Sequence, residues 1–231
     1  MNYYSYITAM RNLLIILLLV IKASITAQTG MDILMFNEIN NFRSDPKSYI
    51  TLAIDYVITQ KSRINRIKEG KTKVSSTSGT MTKSNGMVNT KTVRGIELIN
   101  INIKAAEELI LILENSKPLN KLLYSKDMDS ITNSHGRYLD SVKQIGHFGP
   151  NAESLSDRFP YKYYPYVSEN ICNSGFAIKV RNDFKPAILM LLIDSRIETR
   201  VHRKNLLSTK VTHISIYIGN RVCIQNFALL K

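Results

Sequence analysis

The chain has 231 residues, of which 44% are hydrophobic, and a formal net charge of +13. That is enough material for one domain with a sizeable core, and two cysteines exclude a disulfide framework. The positive balance favours anionic surfaces such as acidic glycans or lipid headgroups, although a merely solvated basic surface has the same composition. No nucleic-acid motif accompanies the charge, so nucleic acid is not an expected partner.

Arg11 precedes an uninterrupted apolar run, Leu13 to Ile21, and Ile25-Thr26-Ala27 ends on a small residue. This is the pattern of a secretory signal peptide over residues 1–27, cleaved after Ala27, and it predicts a secreted, extracellular protein. The run is short against the roughly 20 residues of a membrane span; an uncleaved membrane anchor is the alternative. Residues 28–231 are then read as one domain.

Met31, Leu34, Met35, Ile39 and Phe42 recur at helical spacing, and Ser44-Asp45-Pro46 ends that helix. Tyr49, Ile50, Ala53, Ile54 and Val57 predict a second helix over Lys47 to Ile58. Lys61 to Arg94 is rich in Lys, Ser, Thr, Gly and Asn and is read as a basic, flexible surface insertion. Helical periodicity returns over Ile96 to Glu114 and stops at Lys117-Pro118. Leu119 to Val142 is read as one long amphipathic helix carrying Met128, Ile131, His135 and Leu139. Asp183-Phe184-Lys185-Pro186 opens an apolar helix, Ala187 to Ile193. Ile214 to Ile218 and Arg221 to Ala228 alternate as strands around a Gly219-Asn220 turn. Helices first and a closing hairpin argue an α+β domain. Cys172 and Cys223 both fall on strands of one sheet, as a disulfide or as two buried thiols.

Three islands carry the chemistry: Gly146-His147-Phe148, Ser168-Glu169-Asn170-Ile171, and Val201-His202-Arg203-Lys204-Asn205-Leu206-Leu207. Two imidazoles and a carboxylate suit a divalent metal or an acid/base cluster, but only if the fold assembles them. His135 lies on an apolar helical face and is read as a core histidine.

In order and spacing these islands resemble the CAP superfamily (cysteine-rich secretory proteins, antigen 5 and pathogenesis-related 1, also called SCP domains), in its cysteine-poor branch. Met35 to Pro46 resembles the family's opening helix with its N-x-x-R-x-x-P ending. Ser168-Glu169-Asn170-Ile171 is similar to its G-E-N-I motif with Ser for Gly, and Val201 to Leu207 to its G-H-R-x-N-I-L block with Val for Gly. The resemblance implies a three-layer α-β-α sandwich. It also implies a cleft framed by His147, Glu169, His202 and a second acid, Asp194, with Glu198 as competitor. His147 and His202 would then hold zinc or another divalent cation loosely. Arg203 and Asn205 would fix the loop by hydrogen bonds. The family implies an extracellular binding module with a protein, lipid or sterol partner. Two alternatives stay open: a metal-assisted hydrolase using the same cleft, and an interaction module whose cluster is purely structural. No Ser-His-Asp pattern can be assembled, so binding is favoured over turnover.

Overall fold

A computed structural model describes residues 30–73, 77–84, 87–175 and 183–231; the signal-peptide reading of residues 1–27 lies outside them. Helix α1 runs through residues 30–44 and buries Met35, Ile39 and Phe42 on one face. Asp45 and Pro46 end it, and a short 3-10 turn, Pro46–Tyr49, delivers the chain into α2, Ile50–Lys68. After α3, Gly95–Glu114, come β3, Leu123–Tyr124, α4, Lys126–Val142, and α5, Leu155–Arg158. Strand β4, Tyr166–Asn173, precedes α6, Lys185–Ile193, and α7, Val201–Leu206. The closing hairpin is β5, His213–Ile218, and β6, Val222–Leu229.

The main sheet has the order β3-β5-β6-β4, with β3 parallel to β5 and the other neighbours antiparallel. Side chains alternate across it. Ile214, Ile216, Ile218, Cys223 and Phe227 face α1, α2, α3 and α6 in the larger core. Tyr217, Val222, Ile224 and Ile171 face Leu139 of α4 on the other side. The architecture is therefore α+β with helices on both faces of one sheet, three layers in all. Period-two alternation in the strands and period-3.6 stripes in the helices oblige each to bury one face.

Two predicted elements need correction. The stretch 61–94, read as a basic, flexible surface insertion, carries regular elements among its described residues: α2 continues to Lys68, and β1, Thr77–Ser84, pairs antiparallel with β2, Met87–Arg94. The helix continues because Ile64 and Ile67 extend the apolar face of Ala53 and Val57, with no breaker before Gly70. The strands draw on Thr77, Thr80, Thr82, Val88, Thr90 and Thr92, and the sequence between them is Asn85-Gly86, a hairpin signal overlooked in a polar stretch.

Likewise, Leu119 to Ser125 is extended rather than helical. The Asn40 amide donates to Leu122 O at 3.0 Å and accepts from Leu122 N at 2.8 Å, and Arg43 Nε donates to Asn120 O at 2.9 Å. Those bonds to α1 satisfy the backbone without a helix, and Ser125 then caps α4 by accepting from Met128 N.

Helix α4 meets the sheet closely at Gly136. A Cβ there would overlap the buried Tyr217 ring. Gly136→Ala gains roughly 1 kcal/mol of helix propensity yet overpacks this contact, which costs about 1–3 kcal/mol or more. A lower urea midpoint for the variant is expected; an unchanged or raised midpoint would show that the helix simply rides outward. Nearby, the Asp140 carboxylate accepts from Tyr217 Oη and from the backbone N–H groups of Asn220, Arg221 and Val222, at 2.9–3.1 Å. One side chain on α4 thus ties down the β5–β6 turn.

Candidate functional site

Strand β4 positions the site. Glu169 sits opposite Asn226 of β6 and Asn170 opposite Gln225, so their side chains leave opposite faces of the sheet. Glu169 turns toward α4 and is almost wholly buried. A buried carboxylate needs partners. Arg158 supplies two bonds through Nη2, 3.1 Å to Oε1 and 2.9 Å to Oε2, and His147 Nδ1 donates to Oε1 at 2.9 Å. Arg158 also donates to His147 O at 2.9 Å, so one guanidinium holds both the carboxylate and the loop that presents the imidazole.

Arg158 is the functional-site residue that sequence reasoning missed. Its local signal is Ser154-x-x-Asp157, which forms a reciprocal capping box and starts the single turn α5. The Ser154 hydroxyl and N–H hold the Asp157 carboxyl below the usual carboxylate range. Nothing local marks Arg158 as the partner of Glu169, eleven residues on in the chain.

His202 and Asp194 form a second pair. Asp194 ends α6 in the left-handed region, at φ 47°, which aspartate tolerates better than most residues. Its carboxylate accepts from His202 Nδ1 at 2.9 Å and from His202 N at 3.0 Å. The competitor Glu198 stays exposed. Asn205 Nδ2 donates to Asn170 Oδ1 at 2.7 Å and to Glu169 O at 3.3 Å, and Asn170 Nδ2 reaches His202 O at 3.4 Å. Arg203 is buried, and its guanidinium donates to Leu192 O, Ile193 O and Ala105 O. Arg203 and Asn205 thus bind α7 to α6, α3 and β4.

The structure therefore joins the four expected cleft residues two by two, His147 with Glu169 and His202 with Asp194, linked through Asn170 and Asn205. A carboxylate only accepts, so the Nδ1 of each imidazole carries the proton and each Nε2 keeps a lone pair in the neutral ring. The His147 side chain is 57% exposed and that of His202 14%. Among the described residues, no three His, Cys, Asp or Glu side chains gather closely enough to hold a metal ion. Both oxygens of Glu169 are occupied, so these residues do not fit a closed zinc centre; two Nε2 atoms are the donors left over.

His135 is buried, as expected of a core histidine, but only one of its nitrogens is satisfied. Nε2 lies 3.2 Å from Gly146 O and 3.9 Å from Glu169 Oε2, while Nδ1 has no partner among the described residues. Burial first, then Arg158, pushes its pKa below the ordinary 6.5, partly opposed by Glu169. The unfolded chain therefore binds this proton at higher pH than the folded one. Stability owed to neutral His135 is complete above about pH 6.5 and is lost as pH falls from there toward the folded value. Urea unfolding between pH 7.5 and 5 is expected to show a shallower decline in His135→Gln than in wild type. Parallel declines would remove His135 as the sensitive group. A cavity of about 290 Å³ between α4 and residues 150–158 shares His135 and Arg158 with this cluster.

No family model matches the chain, and no curated protein matches it. Among solved structures it is similar to an extracellular protein containing an SCP domain from Bacillus anthracis, at 20% identity and a TM-score of 0.38, over 57% of this chain and 38% of that one. An outer surface protein from Borrelia burgdorferi is similar at 13% identity and a TM-score of 0.38, over 67% of this chain and 100% of the other. A cysteine-rich secretory protein from Staphylococcus aureus is similar at 17% identity and a TM-score of 0.34, over 63% and 44%. This chain spans less than half the length of the first and third.

Proposed function

We propose that this chain is an exported domain of the CAP (SCP) type that acts by binding rather than by turnover. One observation carries the reading: the imidazoles of the first and third motif islands, His147 and His202, are both locked by carboxylates through Nδ1, at 2.9 Å each. Each ring is thereby fixed in orientation and tautomer, with Nε2 left as the acceptor. Among the described residues neither Nε2 has a serine, threonine or cysteine partner, so the arrangement presents recognition groups without a primed nucleophile. A protein, lipid or sterol partner meeting the His147 side of β4 is the expected ligand. Export is supported by the signal-like residues 1–27, and no described helix is long and apolar enough to cross a membrane.

Zinc calorimetry with parallel peptidase and esterase assays tests the proposal. Weak or absent zinc binding and no turnover are expected. Turnover abolished by His147→Ala, or one equivalent of tightly held zinc, would overturn it in favour of a metal-assisted hydrolase.

The two histidines should also differ in structural cost. His147→Ala is expected to change stability by less than about 0.5 kcal/mol, because the ring is largely exposed and Arg158 still satisfies Glu169. His202→Ala leaves one oxygen of the buried Asp194 carboxylate without its donor, while the backbone N–H of residue 202 still serves the other, and is expected to cost about 1–3 kcal/mol. Equal urea midpoints for the two variants would contradict that asymmetry.

A further inference from the structure

Cys172 of β4 and Cys223 of β6 stand directly opposite each other. Both side chains leave the face that carries Asn170, Gln225 and Phe227, and both are free thiols in this structure. Cys223 is completely buried, while Cys172 is partly accessible. The neighbouring Cys172 thiol, and then burial, raise the Cys223 pKa well above its ordinary value. Cys223 Sγ also lies 3.5 Å from Met35 Sδ, within the larger core, and Cys172 packs at that core's edge.

The ladder gives the spacing. Ser174 N donates to Arg221 O at 2.8 Å, which marks 174 and 221 as a hydrogen-bonded pair. Such pairs recur every second residue, so 172 and 223 form the next one. Directly opposite residues of that kind have Cα atoms about 5.5 Å apart, inside the roughly 4.4–6.8 Å that a disulfide requires. Their Cβ atoms stand at the wide end of the cross-strand range, however, beyond the roughly 3.5–4.5 Å typical of a relaxed bridge. The site can close, but closing draws the strands together.

We propose that Cys172 and Cys223 are a reversible redox pair that closes to a reducible cross-strand disulfide and pins the edge strand β4 to β6. The partly accessible Cys172 loses a proton and its thiolate attacks a disulfide-bearing oxidant, either a small disulfide such as oxidised glutathione or a protein dithiol–disulfide carrier. One thiolate leaves, and a mixed disulfide forms on Cys172. Cys223 then loses its proton and displaces the second thiol. Two cysteine thiols are oxidised, the oxidant is reduced to two thiols, and the two protons pass to them. Since Glu169 and Asn170 lie on β4 three and two residues before Cys172, the bridge stiffens the strand that carries both motif residues. This inference rests on the ladder alone and stands whether or not the binding reading is correct.

The test uses the full chain, purified without reductant and equilibrated in glutathione buffers from fully reduced to fully oxidised. Each sample is denatured, alkylated with iodoacetamide and weighed intact. Two adducts per chain in reduced buffer, none in oxidised buffer and a monomeric mass throughout are the expected result. Brief alkylation of the folded, reduced protein should label Cys172 ahead of Cys223, as a peptide map would show. Two adducts retained in fully oxidised buffer by a folded protein would overturn the proposal. So would a bridge that survives millimolar reduced glutathione in the folded state, or one that forms undiminished between chains in Cys223→Ser. Because Cys223→Ser keeps the size of the side chain, circular dichroism separates a missing bridge from a missing fold.

Discussion

Arg203→Met is expected to lower stability by about 3–5 kcal/mol, with a fall in Tm of about 10 °C or failure to accumulate as folded protein. The residue is 3% exposed, and its guanidinium donates to Leu192 O, to Ala105 O at 2.7 Å and to Ile193 O at 2.9 Å. Leu192 and Ile193 are the last residues of α6, whose terminal carbonyls have no intrahelical donors. Methionine fills most of the space but leaves the carbonyls of Leu192 and Ile193 without a donor and removes the second donor to Ala105 O, and each buried acceptor left unsatisfied costs about 1–3 kcal/mol. Arg203→Lys should recover only part, since the three donors of an ammonium radiate from one nitrogen and do not span the separated carbonyls that a planar fork reaches. Urea denaturation of the three proteins decides the matter: a loss below about 1 kcal/mol in Arg203→Met would mean that water replaces the guanidinium. Arg43 plays the equivalent part for α1, donating to Asn120 O, Leu206 O and Ser208 O.

Glu169→Ala is expected to cost a similar 3–5 kcal/mol, for a different reason. The carboxylate is the charge partner of Arg158, whose side chain is 6% exposed, so its removal leaves a buried cation unpaired. It also frees the His147 ring and slackens residues 147–158, which Arg158 holds through His147 O. Glu169→Leu combined with Arg158→Met should lie much closer to wild type, because it deletes both charges rather than one. A double-mutant cycle by urea unfolding measures this. Additive losses, with the pair variant as poor as the sum of the single ones, would show that the two side chains are not energetically coupled. The same variants report on function: if the cluster presents His147 to a partner, Glu169→Ala weakens binding, while His147→Ala weakens it without the loss of stability.

The elements that periodicity reveals are those whose faces meet the core directly. Met35, Ile39 and Phe42 of α1 and the alternation in β5 and β6 are of this kind, and so is the apolar α6. Over residues 61–94 composition dominates the pattern: a Lys- and Ser-rich stretch conceals both the last turns of α2 and the strands β1 and β2. Leu119 to Ser125 has helical spacing in the sequence, yet α1 takes its backbone bonds through Asn40 and Arg43. No local pattern encodes that competition.

The sequence by itself determined the alternation of apolar faces, hence an α+β domain with helices first and a closing hairpin, and it supplied the islands bearing His147, Glu169 and His202, whose resemblance to a known family implied the three layers. Local side-chain chemistry is enough for that, because burial acts on each residue's own polarity and spacing. Only the tertiary structure decided who pairs with whom. It gave Glu169 to Arg158 and His147 on one face of β4, gave His202 to Asp194, and set Cys172 opposite Cys223. A buried charge or hydrogen-bonding group is satisfied by whatever the packed chain brings within about 3 Å, and that depends on strand register and loop closure rather than on distance along the sequence.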